Sequence, residues 1–152
     1  MVRNTSRKVL FLCTGNSCRS QIAEGLLRHL AEGRFDACSA GLSPKDHIHP
    51  LAIQVMAEIG IDISGQEPKS VKTYLGKASI SYVITVCTRA EDSRPHIWPG
   101  VAGKNRLYWP FADPAAAEGT IEEKLRGFRQ VRDQLREKIN GWLNSGEERE
   151  QQ

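Results

Sequence analysis

Residues 9–31 constrain the fold more than any other stretch. Residues 9–13, Val-Leu-Phe-Leu-Cys, form a continuous apolar run with no polar alternation. A strand reads this way when both its faces are buried, as in a parallel sheet. The polar segment Thr14-Gly15-Asn16 follows at once. Beyond it the apolar period changes, because Ile22, Ala23, Leu26, Leu27 and Leu30 recur at helical spacing before a stop at Gly33. Strand, tight loop and helix in succession make the first half of a βαβ unit. That unit commits the chain to parallel pairing and a right-handed crossover.

The rest of the chain repeats the alternation. Residues 35–40 read as a second strand closed by Gly41. His49-Pro50 opens a second helix that contains Leu51, Ile53, Val55, Met56 and Ile59 and stops at Gly60. Residues 68–77 read as a short helix in a polar connection. Residues 81–87 are the clearest strand, since Tyr82, Val83, Ile84, Thr85 and Val86 are all β-branched or aromatic. Residues 107–111 make a weaker fourth strand, and Pro110 within it argues for a sheet edge. The last helix covers residues 120–143, opened by a Thr120/Glu123 capping box. Its apolar stripe, Ile121, Leu125, Phe128, Val131, Leu135, Ile139 and Trp142, reads as a core-facing surface. The expectation is an α/β fold in one domain of 152 residues, with a frayed polar end at 144–152.

Composition removes several function classes. Hydrophobic residues at 39% and charged residues at 26% exclude a disordered or collagen-like chain. Twenty-one Lys and Arg against 18 Asp and Glu leave +3, too mild to argue for nucleic acid, and no long basic run adds to it. No apolar run approaches the roughly 18–20 residues of a membrane span. The basic lead-in at 1–8 precedes an apolar stretch too short for a secretion signal. The expectation is a cytoplasmic protein with no membrane or nucleic-acid partner. Four cysteines (Cys13, Cys18, Cys38 and Cys87) are too sparse for a disulfide scaffold. In a reducing compartment such residues are buried, metal-binding or chemical.

The chemistry concentrates in Cys13-Thr14-Gly15-Asn16-Ser17-Cys18-Arg19-Ser20. A tight loop entering a helix aims several backbone N–H groups at one point, and the helix N-terminus adds partial positive charge. Gly15 and Asn16 tolerate the backbone angles such a loop needs. Arg19 can fork onto two oxygens of a tetrahedral oxyanion, with Cys13 at the mouth as nucleophile. Neither nucleotide-binding glycine pattern is present. An unperturbed thiol of pKa ~8.5 is only roughly 3% ionised at pH 7. Lowering that pKa by ~2 units takes ~2.7 kcal/mol. A helix dipole supplies about 0.3–1 kcal/mol. Loop N–H groups, the Ser20 hydroxyl and the Arg19 charge are the expected source of the remainder. Active sites in parallel sheets lie beyond the carboxyl ends of the strands, and Cys13 and Cys87 both end expected strands.

Residues 9–25, VLFLCTGNSCRSQIAEG, resemble the low-molecular-weight protein tyrosine phosphatase superfamily, and within it most closely the phosphatase-fold arsenate reductases. Ser39-Ala40-Gly41, Ile61-Asp62-Ile63-Ser64 and Trp109-Pro110-Phe111-Ala112-Asp113-Pro114 are similar to family segments, so the resemblance spans about residues 8–143. It implies a three-layer αβα fold with a four-stranded parallel sheet, a monomer, and an arsenate- or phosphate-type oxyanion as substrate. It further implies Cys13 as nucleophile and an anion site made by Arg19 with Thr14, Gly15, Asn16, Ser17, Cys18 and Ser20. Asp113 becomes the general acid for the departing oxygen. Gln21 stands where tyrosine phosphatases carry Pro, and Ala115, Ala116 and Ala117 stand where they carry ring-binding aromatics. Both features favour arsenate reduction; tyrosine phosphatase activity is the alternative.

Arsenate reductases of this type need a second cysteine to attack the sulfur of the arsenic adduct. Cys87 is the candidate and Cys18 the rival, while Cys38 reads as core. Thioredoxin-coupled relatives carry a third cysteine seven residues after the second, where this chain has Arg94. The external reductant is therefore left among thioredoxin, glutaredoxin and a small thiol. Some relatives bind potassium; Asn16, Glu24 and Ser39 match its ligands, but Lys69 replaces the acidic member. Lysine has no acceptor, so no bound metal is expected. Asp46-His47-Ile48-His49 reads as a loop before a helix rather than a metal site. Trp98 and Trp109 with Arg89, Arg94 and Arg106 read as pocket and loop residues rather than a nucleic-acid surface.

Overall fold

The computed structural model describes residues 7–76, 79–87, 101 and 103–145. The apolar run forms the first strand, β1 (Arg7–Cys13), at the inside of a four-stranded, all-parallel sheet. The other strands are β2 (Phe35–Gly41), β3 (Tyr82–Thr85) and β4 (Arg106–Tyr108), in the spatial order β2-β1-β3-β4. β1 is flanked on both sides, with Leu12 opposite Ala40 and Thr85. This position explains why residues 9–13 carry no polar alternation: Val9, Leu10, Phe11 and Leu12 are all fully buried.

The pleat splits these side chains between two cores. Val9, Phe11 and Cys13 face the helices α1 (Arg19–Ala31), α2 (Pro50–Ala57) and α3 (Ile121–Ser145), packing with Ile22, Leu26, Val55, Phe128 and Leu135. Leu10 and Leu12 face the other way, onto Cys38, Ala40, Ile80, Val83 and Val101, with Val71, Tyr74 and Leu75 against them. The α3 stripe expected from its periodicity is the buried one, except that Ile121 is exposed on the first turn. No helix among the described residues is long and apolar enough to cross a membrane.

Several boundaries differ from the sequence reading, each for a physical reason. α2 ends at Ala57 rather than Ile59, and Gly60 at φ +80° closes it through Gly60 N–H to Ala57 C=O (3.0 Å) and Ile61 N–H to Met56 C=O (3.0 Å). α1 keeps the bounds read for it, Arg19–Ala31, and leaves the helix through Glu32 in the left-handed region at φ +49° and Gly33 at φ +90°. Of the expected helix at 68–77, the described residues 68–76 hold only a 3₁₀ turn, Val71–Thr73, because the backbone of Glu67 and Lys69 is drawn into hydrogen bonds near the end of β2. β3 spans Tyr82–Thr85 rather than 81–87, and β4 spans Arg106–Tyr108 rather than 107–111. Ladder-like bonds continue past both ends: Val86 N–H to Leu12 C=O (3.0 Å), Trp109 N–H to Thr85 C=O (2.8 Å) and Phe111 N–H to Val86 C=O (3.3 Å). Pro110 supplies no N–H between them, and β4 is an edge strand as expected. Arg89, Arg94 and Trp98 and the tail from residue 146 lie outside the described residues.

The capping box is formed as read: Glu123 N–H donates to Thr120 Oγ1 at 3.1 Å, and Thr120 N–H to Glu123 Oε1 at 2.7 Å. Thr120→Ala should cost about 1 kcal/mol in urea unfolding, while the affinity for inorganic phosphate stays unchanged.

Candidate active site

The loop between β1 and α1 turns all its carbonyls outward. Cys13 C=O accepts from Leu42 N–H (3.2 Å), Thr14 C=O from Ser43 N–H (2.8 Å), Gly15 C=O from Lys45 N–H (2.9 Å) and Ser17 C=O from His49 N–H (2.9 Å). Cys18 C=O accepts from Ile22 N–H of α1 (2.9 Å), and Asn16 C=O from Gln21 Nε2 (3.0 Å). In a trans peptide the N–H of each next residue points opposite to the carbonyl. Binding the carbonyls of residues 13–18 from outside therefore aims the amides of residues 14–19 inward, toward one concave point. Asn16 N–H shows the result, donating to Cys13 Sγ at 3.3 Å.

Two residues make this turn possible. Asn16 takes φ +52°, the left-handed conformation that asparagine tolerates. Gly41 ends β2 directly against the loop; a β-carbon there would stand 2.6 Å from Thr14 O and 3.0 Å from Asn16 Cβ. Asn16 is fully buried and its side chain is a hub. Its Nδ2 donates to Ser20 Oγ (2.7 Å) and Ser39 Oγ (3.0 Å), and its Oδ1 accepts from Lys69 N–H (2.7 Å). Ser39 donates to Glu24 Oε1 at 2.6 Å. Glu24 is paired with Arg28, and Lys69 Nζ lies 3.9 Å from Glu24 Oε1. Gln21 Nε2 also reaches Glu67 C=O at 2.9 Å, so the connection to residues 67–69 is pinned to the loop twice.

Cys13 sits at the bottom of the loop and is 3% exposed. Ser20 Oγ donates to its sulfur at 3.3 Å. The neighbour that matters most is Cys87, just past β3, whose thiol acts on Cys13 and lies 3.7 Å from Thr14 Oγ1. All four cysteines are thiols. The Cys87 contact and burial together push the Cys13 thiol well above its ordinary value, against the lowering effect of Ser20 and Asn16 N–H. The low thiol pKa expected from the loop alone is thus not the resting state. The donors are in place, but a second sulfur and desolvation outweigh them. Burial likewise pushes Cys18 up to about 11 and Cys38 up to about 12. Cys18 contacts the Ser17 hydroxyl at 3.7 Å, and Cys38 donates to Val9 C=O on the far face of the sheet.

Arg19 opens α1 beside the cradle. One guanidinium nitrogen donates to Phe111 C=O (2.9 Å), another lies 3.7 Å from Asp113 Oδ2, and its buried Nε has no partner. Such a donor suits an oxyanion held by the loop amides. Asp113 is half-exposed, facing Arg19, and it caps the turn Pro114–Ala116 by accepting from Ala115 N–H at 3.0 Å. His49 serves the start of α2. Its Nδ1 accepts from Leu51 N–H (3.1 Å) as the cap of α2, its ring packs on Phe128, and burial lowers its pKa.

Asn16 N–H, Ser20 and Thr14 thus gather around Cys13 and Cys87 at the carboxyl ends of β1 and β3, and Arg19 with Asp113 forms a second group, while the Cys18 thiol meets Ser17 and the Asn16 side chain turns to Ser20, Ser39 and Lys69. Sequence reasoning missed the second tier: Gln21 as a strap, the amides of residues 42–49 as carbonyl acceptors' partners, and Phe111 C=O on Arg19. Gly41 directly after an apolar strand was the available signal for a close backbone approach.

Comparison with known proteins places this geometry in context. The family described as low molecular weight phosphotyrosine protein phosphatase matches residues 8–152. An arsenate reductase of Oceanobacillus iheyensis is 42% identical over 144 residues, covering 93% of this chain and 99% of that protein. A solved arsenate reductase in the phosphate binding state superposes with a TM-score of 0.73 at 33% identity, covering 91% of this chain and 98% of that one. An arsenate reductase in oxidized state gives 0.70 at 31% identity, covering 89% and 95%.

Two outcomes test the geometry. Gly41→Ala should lose roughly 1–3 kcal/mol of stability in urea unfolding, and weaken protection of Cys13 by inorganic phosphate. Alkylation of Cys13 by iodoacetamide should keep accelerating past the pH at which an ordinary thiol levels off. Ser20→Ala should move that curve to higher pH and Cys87→Ala to lower pH; a wild-type plateau near neutrality would contradict the assignment.

Proposed function

The chain belongs to the low molecular weight phosphotyrosine protein phosphatase family, and on that premise we propose that it is an arsenate reductase working through Cys13 and Cys87. The placement of the Cys87 thiol at the end of the strand paired with β1, 3.7 Å from the Thr14 hydroxyl of the loop, carries the reading. A phosphatase needs one sulfur in the cradle; a second one against it supplies the two electrons that reduction of arsenic(V) requires.

The reaction follows from the placement of the groups. Arsenate lies in the loop with its oxygens on the amides of residues 14–19 and on Arg19. Cys13 Sγ attacks arsenic and one As–O bond breaks, the oxygen leaving as water with a proton from Asp113. Ser20 Oγ and Asn16 N–H hold the thiolate that attacks. Cys87 then attacks the Cys13 sulfur. An S–S bond forms, the S–As bond breaks, and its electron pair stays on arsenic, which departs as arsenite. Two thiols have been oxidised to a disulfide while arsenic(V) has gained two electrons. The Thr14 hydroxyl, near the Cys87 sulfur, is placed to support the attacking thiolate. Cys18 is the weaker resolving candidate, because its nearest polar contact is Ser17 rather than Cys13.

Regeneration is assigned to an external thiol, of the thioredoxin or glutaredoxin class or a small thiol, acting on a monomer in the cytoplasm. A metal ion is not part of the reading. Glu24, the carboxylate that a cation beside Asn16 and Ser39 would need, already carries Arg28 and the Lys69 ammonium. Phosphatase chemistry is the second reading, favoured by the Cys13–Arg19–Asp113 set, which is complete for phosphate-ester hydrolysis.

Mass spectrometry after thiol alkylation separates the two. Incubation with arsenate should produce a Cys13–Cys87 disulfide in the wild type and none in Cys87→Ser. If Cys87 stays alkylatable while the chain hydrolyses an aryl phosphate, the phosphatase reading replaces this one.

A further inference from the structure

The connection from β2 to α2 does more than bind carbonyls. Lys45 donates its backbone N–H to Gly15 C=O at 2.9 Å, and its side chain then lies along the loop where Gly15 lacks a side chain. A β-carbon on Gly15 would stand 3.2 Å from Lys45 Cε, 3.3 Å from Cγ and 3.4 Å from Cδ. The stem thus rests on the second residue of the cradle, and the ammonium extends one bond beyond it, on an exposed surface. Among the described residues no carboxylate forms an ion pair with it. Arg19, the other cation of the site, is already engaged by Asp113 and Phe111 C=O. The charge of Lys45 is felt on both sides of the loop, favouring the ionised form of Cys18 and opposing protonation of His49.

We propose that Lys45 is the rim cation of the oxyanion site, a specificity-determining residue that draws in and holds a free, doubly charged inorganic oxyanion. The inference rests on the reading of the loop as an oxyanion site. Its placement outside the first ring of amides means that it does not touch the attacking sulfur or the departing oxygen. The substrate keeps its negative charge between binding and attack, so Lys45 stabilises both states alike. Such uniform binding lowers the concentration of oxyanion needed and leaves the chemical step unaltered. A β-carbon on Gly15 would press the lysine stem outward by a few tenths of an ångström.

The test separates the charge from the stem. Lys45→Met keeps a flexible apolar stem over Gly15 and removes the charge; Lys45→Arg keeps the charge. Binding of inorganic phosphate to the full chain is read by protection of Cys13 from iodoacetamide, at low and high salt. Lys45→Met should bind phosphate about tenfold more weakly at low salt, with the difference shrinking as salt rises. Lys45→Arg should remain near wild type. The single-turnover rate at saturating arsenate should be unchanged in both. Equal phosphate affinity in Lys45→Met and wild type, or a loss that salt does not diminish, would overturn the proposal. Phosphate binding involves no reduction, so a chain that binds phosphate through Lys45 yet leaves arsenate unchanged would refute the reductase reading alone.

Discussion

The site depends on peptide planes. A six-residue run of carbonyls, from Cys13 to Cys18, is bound from outside by four amides of residues 42–49, one side-chain amide and one helical N–H. Buried carbonyls left unpaired are costly, so each partner fixes the orientation of a plane as well as satisfying an acceptor. The inward amides follow without any side chain pointing at the substrate. That arrangement is preorganised: the donors are already aimed when an anion arrives, and no dipole has to turn during the reaction.

This constraint links the parts of the fold that look unrelated in sequence. Gly41 lets β2 end in contact with Thr14 and Asn16, and its own N–H is taken by Lys69 C=O at 2.7 Å. Lys69 N–H in turn holds Asn16 Oδ1, and Gln21 joins Asn16 C=O to Glu67 C=O. The residues read as a short helix at 68–77 are instead extended up to Ser70, because their amides and carbonyls serve the loop. Local propensity lost to tertiary hydrogen bonding there, and Lys69 N–H holds the side chain of Asn16, the residue at φ +52°.

The strands and helices were legible because burial leaves a period in the sequence. β1 lacks alternation since both of its faces are covered, and the α3 stripe and capping box are visible in residue order alone. The candidate site was legible for a different reason: Cys13, Arg19 and Ser20 are neighbours on one loop, so their spacing survives in the primary sequence. The supporting tier was not. Backbone amides of Leu42, Ser43, Lys45 and His49 have no sequence signature, since any residue but proline offers the same N–H. The ionisation of Cys13 was misjudged on similar grounds. The loop donors are written in residues 13–20, whereas the opposing influence comes from Cys87, brought in by strand pairing seventy-odd positions away.

Burial of the two sulfurs sets the terms of the chemistry. At 3% and 1% exposure, Cys13 and Cys87 are both buried. The same burial raises the energy of a thiolate, so reactivity has to come from groups that act at the sulfur itself, Ser20 Oγ and Asn16 N–H. Two thiols in contact repel a second ionisation, which keeps one sulfur protonated while the other attacks. The pair is thereby ordered in time. Cys13 is the sulfur that holds both donors, and on the proposed reading it attacks first, with Cys87 following once Cys13 is bonded to arsenic and its charge is gone.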